Sequence, residues 1–280
     1  MPGPVRDTRR PKVKFPRGAC DCHAHIFGPE TKLLPKTHFV PPDCPLPDYL
    51  RMLRTIGCER AVLVQPSFYG TDNSAIAAAI KSGAFALRGV AVVSENVTDQ
   101  ELEDLHAAGF RGIRINVASG TRGLKLEHAP RLAERIKPFG WHLQFYMNFR
   151  PEHEAELGRL PVNVVIDHFG RIPTSGGLDA PAFQALLRLL RREHCWAKLM
   201  GPYFVSDANP RYPDLSPFAQ AMVKAAPDRI VWGTDWPHPS ARQKMPNDGD
   251  LADLLSDWVS DEAQRKRVLV DNPQRLYGFS

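Results

Sequence analysis

DCHAHIFGP, residues Asp21–Pro29, closes the first short β-rich run of the chain, ACDCHAH, and the segment beyond it decides the fold. No G-x-G-x-x-G opens a helix behind it, so an open dinucleotide-binding sheet would lack its phosphate-cradling turn. Seven further runs of the same kind recur: RAVLVQ, LRGVAVV, RGIRIN, WHLQFYM, VNVVIDHFG, CWAKLM and RIVWGTD. Between most of them lie helix-like segments such as LPDYLRMLRTIG, DNSAIAAAIKSG, TDQELEDLHAAG and APAFQALLRLLRREH, several opening on Asp, Asn or Thr and three closing on Gly. Strand and helix alternating in eight units predict an α/β fold, a TIM-like (β/α)8 barrel, as one domain over residues 19–280. MPNDGD then reads as a polar loop, and LADLLSDWV and EAQRKRVLVDNPQRLYGF as closing helices.

A chain of 280 residues with 43% hydrophobic content is long enough to bury one such core. Its 26 prolines exceed the usual share of about 5% and are expected in ordered loops. The net charge of +5 comes from 36 basic against 31 acidic residues, and much of the excess lies in residues 1–18. There Arg6, Arg9, Arg10, Lys12, Lys14 and Arg17 face only Asp7. This basic arm has no apolar core of its own, so it reads as neither signal peptide nor anchor. The expectation is an extension packed on the barrel bottom or on a partner subunit of a homo-oligomer, in preference to a nucleic-acid tail. No run of about 18 apolar residues predicts a membrane span. Five cysteines without a paired framework point to a reducing, cytoplasmic setting.

Reactive groups of a barrel gather at the C-terminal ends of its strands. Alternation along β-structure places Asp21, His23 and His25 together on the inward face of the first strand, with Cys20 and Cys22 opposite as small core residues. It places His168 in phase with Val164 and Ile166 on the sixth strand, and Asp235 in phase with Val231 and Gly233 on the eighth. Each signal alone has an ordinary structural reading: H-x-H arises by chance, and a strand-end Asp before Pro237 is a turn and helix cap. Together, a carboxylate and three imidazoles at one mouth call for a chemical reason, since burying an unpaired charge costs several kcal/mol.

These residues resemble a known family. DCHAHIFGP, VQPSFYGTDN, GFRGIRINV, VVIDHFGR, VWGTDWPHP and VLVDNPQRLYGF are similar to the amidohydrolase superfamily, in its amidohydrolase-2 branch of lactone hydrolases, over about Gly18 to Phe279. The resemblance implies a hydrolase that opens a small anionic lactone of the 2-pyrone-4,6-dicarboxylate or muconolactone type in aromatic-compound catabolism. It implies Asp235 as general base and His23, His25 and His168 as groups polarising the carbonyl. It further implies Arg114, Arg122, Arg171, Tyr146 and His238 as substrate-binding residues, the arginines holding an acid group through paired bonds. Where the pyrone branch has a further arginine after the seventh strand, this chain reads AKLMGPYFVS, with Tyr203 and Phe204 near that position.

Two-metal members of the superfamily carry a bridging lysine or glutamate on the fourth strand and a histidine on the fifth. Here the fourth offers Arg114 and Asn116 and the fifth offers Gln144 and Tyr146, while His142 comes too early. A binuclear centre is therefore not expected. No cofactor is required on this reading; the alternative is one zinc ion on His23, His25, His168 and Asp235 with a position open for water. Two functional alternatives accompany it: a metal-dependent decarboxylase on the same scaffold, and a non-enzymatic basic binding module.

Overall fold

The computed structural model describes residues 3–28, 41–118, 123–241 and 245–279. Among them, eight strands pair in parallel in the order of the sequence: β1 (Cys20–Ala24), β2 (Arg60–Val64), β3 (Ala86–Ala91), β4 (Phe110–Asn116), β5 (His142–Tyr146), β6 (Asn163–Ile166), β7 (Cys195–Leu199) and β8 (Ile230–Trp232). A helix follows each strand: α1 (Leu46–Ile56), α2 (Ser74–Lys81), α3 (Asp99–Ala107), α4 (Ala129–Ile136), α5 (His153–Leu157), α6 (Pro181–Leu190), α7 (Ser216–Ala225) and α8 (Asp248–Trp258). Two more, α9 (Glu262–Lys266) and α10 (Asn272–Tyr277), end the chain. The ring closes just beyond β8, where the His25 N–H donates to the Trp236 carbonyl at 2.7 Å and the Asp235 N–H to the His23 carbonyl at 2.9 Å. This is the single-domain barrel that the βα alternation predicts.

Two apolar layers follow from the period of two along each strand. Ala61, Leu63, Ile113, Ile115, Leu143, Phe145, Val164, Ile166, Ala197, Leu199, Ile230 and Trp232 face outward and pack with the helices. Val62, Val64, Val90, Val165, Trp196 and Val231 face inward, over a floor made by Leu276, Tyr277 and Phe279 after the last strand. Above that floor the lumen turns polar, and the change of chemistry along one axis separates the stabilising end of the barrel from its mouth.

The first strand departs from strict alternation. Asp21 pairs with Ala61 and Ala24 with Leu63, so three steps on β1 match two on β2, which is a bulge. Cys20 and Cys22 belong to the lumen, and Asp21 turns outward into the seam between β1 and β8. There Asp21 accepts from the Tyr49 hydroxyl at 2.9 Å, the Thr234 hydroxyl at 2.6 Å, and the backbone N–H groups of Thr234 and His23 at 2.9 and 3.1 Å. The expectation that Asp21 shares the inward face with His23 and His25 is thus corrected: the bulge inserts one residue and rephases only the two histidines. Gly233 permits the close seam, because a Cβ there would lie 2.9 Å from the His23 nitrogen.

The basic arm runs up the outside of the barrel. Arg6 pairs with Asp48 in the first turn of α1. Arg9 pairs with Asp250 and Asp253 of α8, Lys12 and Val13 donate their N–H groups to Asp253 at 2.6 and 3.0 Å, and Phe15 meets Trp232 edge-on. The arm therefore lies along α1 and α8, and its end reaches the foot of the barrel, where Gly18 meets Glu59 and Arg60 at the start of β2. Asp48 and Asp250, in the first turns of α1 and α8 where the helix dipole favours them, and Asp253 further along α8 give Arg6 and Arg9 their partners.

Candidate active site

The end of β1, the turn after β6 and the turn after β8 bring the sequence-selected residues together. His23, His25, His168 and Asp235 are all buried. Asp235 Oδ1 stands 3.7 Å from Nε2 of His23 and 3.7 Å from Nε2 of His25. These distances exceed a hydrogen bond and leave the three atoms facing one small volume. The His168 ring lies 5.4 Å from that of His23, centroid to centroid.

His168 arrives there by a different route from the one alternation suggests. Val164 and Ile166, with which alternation puts it in phase, face outward; the inward residue of this strand end is Asp167. The chain then enters left-handed backbone at His168 (φ 51°) and Phe169 (φ 54°), and this turn swings His168 back over the lumen. Gly201 makes room, since a Cβ there would meet His168 Nδ1 at 2.6 Å. Asp235 (φ 64°) and His238 (φ 61°) are left-handed too. This geometry is unfavourable for non-glycine residues, and its concentration in the two turns that carry the site marks them as shaped for more than connection.

Beneath the histidines lies a charged layer. Lys198, on β7 and without solvent exposure, donates to the Cys22 carbonyl at 2.9 Å and to Gln144 Oε1 at 2.7 Å, and its Nζ is 3.2 Å from His23 Nδ1. Asp167 Oδ1 is 3.6 Å from Lys198 Nζ and 3.5 Å from His23 Nδ1, while Oδ2 accepts from Gln144 Nε2 at 3.0 Å and lies 3.5 Å from Arg114 Nε. Burial alone would push the Asp167 carboxyl up, but Lys198, His23 and Arg114 outweigh it and hold Asp167 well below the usual carboxylate range. Burial likewise pushes His168 down to about 4 and lowers His23 strongly, so both imidazoles are neutral near pH 7. Asp235, despite its burial, is held low by His168, His25 and His23 and is ionised there.

Of the five expected substrate-binding residues, Arg114, Arg171 and Tyr146 form one wall. The guanidinium carbons of Arg114 and Arg171 lie 4.9 and 4.8 Å from the centre of the Tyr146 ring, and Arg171 also donates to the Tyr146 hydroxyl and to Asn148 Oδ1. A cavity of about 730 Å³ opens beside Arg114 and Asn116, lined also by Ser67, Thr71, Ser94 and Lys125. Arg122 lies outside the described residues. His238 is fully buried with Nε2 3.2 Å from Asp248 Oδ1 and Nδ1 3.4 Å from the Tyr203 hydroxyl, which itself donates to Asp235 Oδ2. Burial pushes His238 down, and Asp248 reverses this and raises it. His238 therefore stands behind Tyr203 and steadies it.

Asp167, Lys198 and Tyr203 are the residues that counting along the sequence missed as members of the site. A lysine inside the apolar run CWAKLM was the available signal, because a buried ammonium must find partners.

The donor set can be tested against a metal ion. His25 Nδ1 lies 2.7 Å from the Val64 carbonyl, which fixes a proton there and leaves the Nε2 lone pair facing Asp235, as a ligand requires. His23 differs, for its Nδ1 is met by the Lys198 ammonium and by Gln144 Nε2 at 3.4 Å. A second group, His23, Asp167 and His168, sits against Lys198 and Arg114, where a further cation would be repelled. The first group, His23, His25 and Asp235, offers three ligand atoms within 4.8 Å of one another, and there the two donors on His23 Nδ1 work against a free lone pair at its Nε2.

The family model described as amidohydrolase matches residues 20–279. A 4-sulfomuconolactone hydrolase of Hydrogenophaga intermedia is 36% identical over 284 residues, covering 99% of this chain and 94% of the relative. A 2-pyrone-4,6-dicarboxylate hydrolase of Comamonas testosteroni is 36% identical over 286 residues, covering 96% and 92%. A D-galactarolactone isomerase of Agrobacterium fabrum is 34% identical over 276 residues, covering 96% and 94%.

Proposed function

The chain belongs to the amidohydrolase family, and we propose that it is a hydrolase opening a small anionic lactone of the muconolactone or pyrone-dicarboxylate type, without a metal ion. The observation that carries this reading is Asp235 Oδ1, buried and ionised, 3.7 Å from two imidazole Nε2 atoms beside a wall holding Arg114 and Arg171. Similarity to relatives named as lactone hydrolases supports the substrate class.

The chemistry follows from charge and position. Arg114 and Arg171 hold the acid group of the substrate and so fix the ring. Water attacks the lactone carbonyl carbon while Asp235 takes its proton; the carbonyl oxygen becomes an oxyanion held by imidazole N–H. Collapse breaks the ring C–O bond, and Asp235 returns the proton to the leaving oxygen. An enol-type leaving group departs readily, so no Lewis acid is needed. The wall after β7 carries Tyr203 and Phe204 and no cation, which favours a substrate with one strongly held acid group, carboxylate or sulfonate.

Two of the arm's arginines, Arg6 and Arg9, are engaged by α1 and α8, which disfavours a nucleic-acid role, and among the described residues no helix is long and apolar enough to cross a membrane. We place the enzyme in aromatic-compound catabolism on the strength of its substrate class alone.

Ultraviolet absorbance with 2-pyrone-4,6-dicarboxylate and 4-sulfomuconolactone tests the reading, with product identified by mass. Gain of one water without loss of CO2 is the expected result for the pyrone; for the sulfolactone the same ring opening leaves hydroxyl and sulfonate on one carbon, which sheds sulfite to give a ketone, again without loss of CO2. CO2 release from an aromatic acid, or a product of unchanged mass from D-galactarolactone, with neither lactone opened, would replace hydrolysis by decarboxylation or isomerisation.

A further inference from the structure

Lys198 has three ammonium protons and three acceptor atoms within 3.2 Å: the Cys22 carbonyl at 2.9 Å, Gln144 Oε1 at 2.7 Å and His23 Nδ1 at 3.2 Å. All four residues are fully buried. The orientation of the Gln144 amide is fixed at both ends, Oε1 on Lys198 and Nε2 on Asp167 Oδ2 at 3.0 Å, and its Nε2 points a second N–H toward His23 Nδ1 at 3.4 Å. Two donors thus converge on Nδ1. One acceptor competes, Asp167 Oδ1 at 3.5 Å, and it is already neutralised by Lys198 and Arg114. A proton on Nδ1 would face the ammonium and leave Lys198 a donor without an acceptor at hydrogen-bond distance, which is costly in a buried site.

We infer that Lys198, aided by Gln144, is a positioning residue that holds His23 as the Nε2–H tautomer, so that His23 offers a hydrogen-bond donor where the H-x-H pattern would otherwise offer a metal-binding lone pair. His25, whose Nδ1–H goes to the Val64 carbonyl, keeps the opposite tautomer. The pair is therefore asymmetric: one imidazole donates and the other accepts. On the lactone reading, His23 Nε2–H binds the developing oxyanion, while His25 Nε2 and Asp235 Oδ1 accept hydrogen bonds from the two O–H groups of the attacking water and Asp235 alone takes a proton as the C–O bond forms. That assignment rests on the proposed hydrolysis; the tautomer itself does not.

The test is 15N NMR of histidine-labelled protein at neutral pH, with His23 assigned by its disappearance in His23→Gln. The expected result is an unprotonated Nδ1 and a protonated Nε2 at His23, the reverse at His25. A protonated His23 Nδ1 would overturn the inference whether or not any lactone is opened. Lys198→Met removes the main donor; His23 is then expected to shift its proton to Nδ1, toward Asp167, and zinc added alone should bind at least tenfold tighter than to wild type by calorimetry. The same variant should lose about 10- to 100-fold in kcat with KM changed less than about threefold, the scale of losing support behind a working imidazole. Lys198→Arg, which keeps a donor, should restore the wild-type tautomer. An unchanged tautomer and unchanged zinc affinity in Lys198→Met would remove Lys198 from the role. Should Lys198→Met fail to fold, the wild-type spectrum still decides the tautomer and Lys198→Ala, which also lacks a donor, still decides the residue.

Discussion

Asp21 and Asp167 are both fully buried, yet they sit in regions of opposite character. Asp21 clips the outer seam of β1 and β8 and meets only neutral donors: two hydroxyls and two backbone N–H groups. Burial wins there and pushes its carboxyl up to about 6. Asp167 lies in the lumen against Lys198, His23 and Arg114, and its carboxyl is held far down. Equal burial thus yields a structural clip in one place and a permanent negative charge in the other. What decides is the charge of the partners, and only the charged arrangement can fix imidazole protons and hold a base ready.

The contrast can be broken or sharpened by substitution. The largest effect is expected at the lumen's mouth: Asp235→Asn should lower kcat by about 10³-fold, the scale of a lost general base, with circular dichroism unchanged. A rate above a tenth of wild type would break the assignment. Asp167→Asn leaves Lys198 and Arg114 without their carboxylate, and it should cost about 3–5 kcal/mol in urea unfolding and about 10²-fold in kcat. A variant as stable and active as wild type would show that the lumen charge is idle. Arg114→Ala should raise KM by about tenfold with a smaller change in kcat, as loss of a charge-assisted substrate contact does; an unchanged KM would remove it from the wall.

The smallest effect on turnover belongs to the seam. Asp21 has a folded pKa of about 6 against 3.8 for an exposed carboxyl. Because the folded value is raised, its contribution to stability is full below about pH 4 and is lost as pH rises through 6, at about 1.4 kcal/mol per pK unit. Unfolding by urea across pH 4 to 7 should show this loss in wild type, up to about 3 kcal/mol, and Asp21→Asn should flatten it. Turnover in Asp21→Asn should stay within about tenfold of wild type, whereas a loss as large as that of Asp235→Asn would erase the distinction between seam and lumen.

The barrel was legible in the sequence because eight apolar runs alternate with helical ones, and each βα unit is a local pattern. The residues of the mouth were legible by type but not by phase. His23 and His25 reach the lumen through the bulge between Asp21 and Ala24, and His168 reaches it through left-handed backbone. Neither irregularity is visible to a count of twos, and the same count misplaced Asp21. Asp167 and Lys198 escaped notice for another reason. Asp167, just past the end of β6, and Lys198, on the neighbouring β7, meet inside the lumen, and a charge whose partner is remote in sequence looks locally like an exception and not like half of a pair.

Metal-free hydrolysis is tested most directly by the initial rate of lactone ring opening by wild-type protein after exhaustive chelation, on whichever of the two lactones turns over. The expected rate equals that of untreated protein, since an asymmetric imidazole pair, an ionised aspartate and an arginine wall suffice. A rate abolished by chelation and restored by zinc would contradict it.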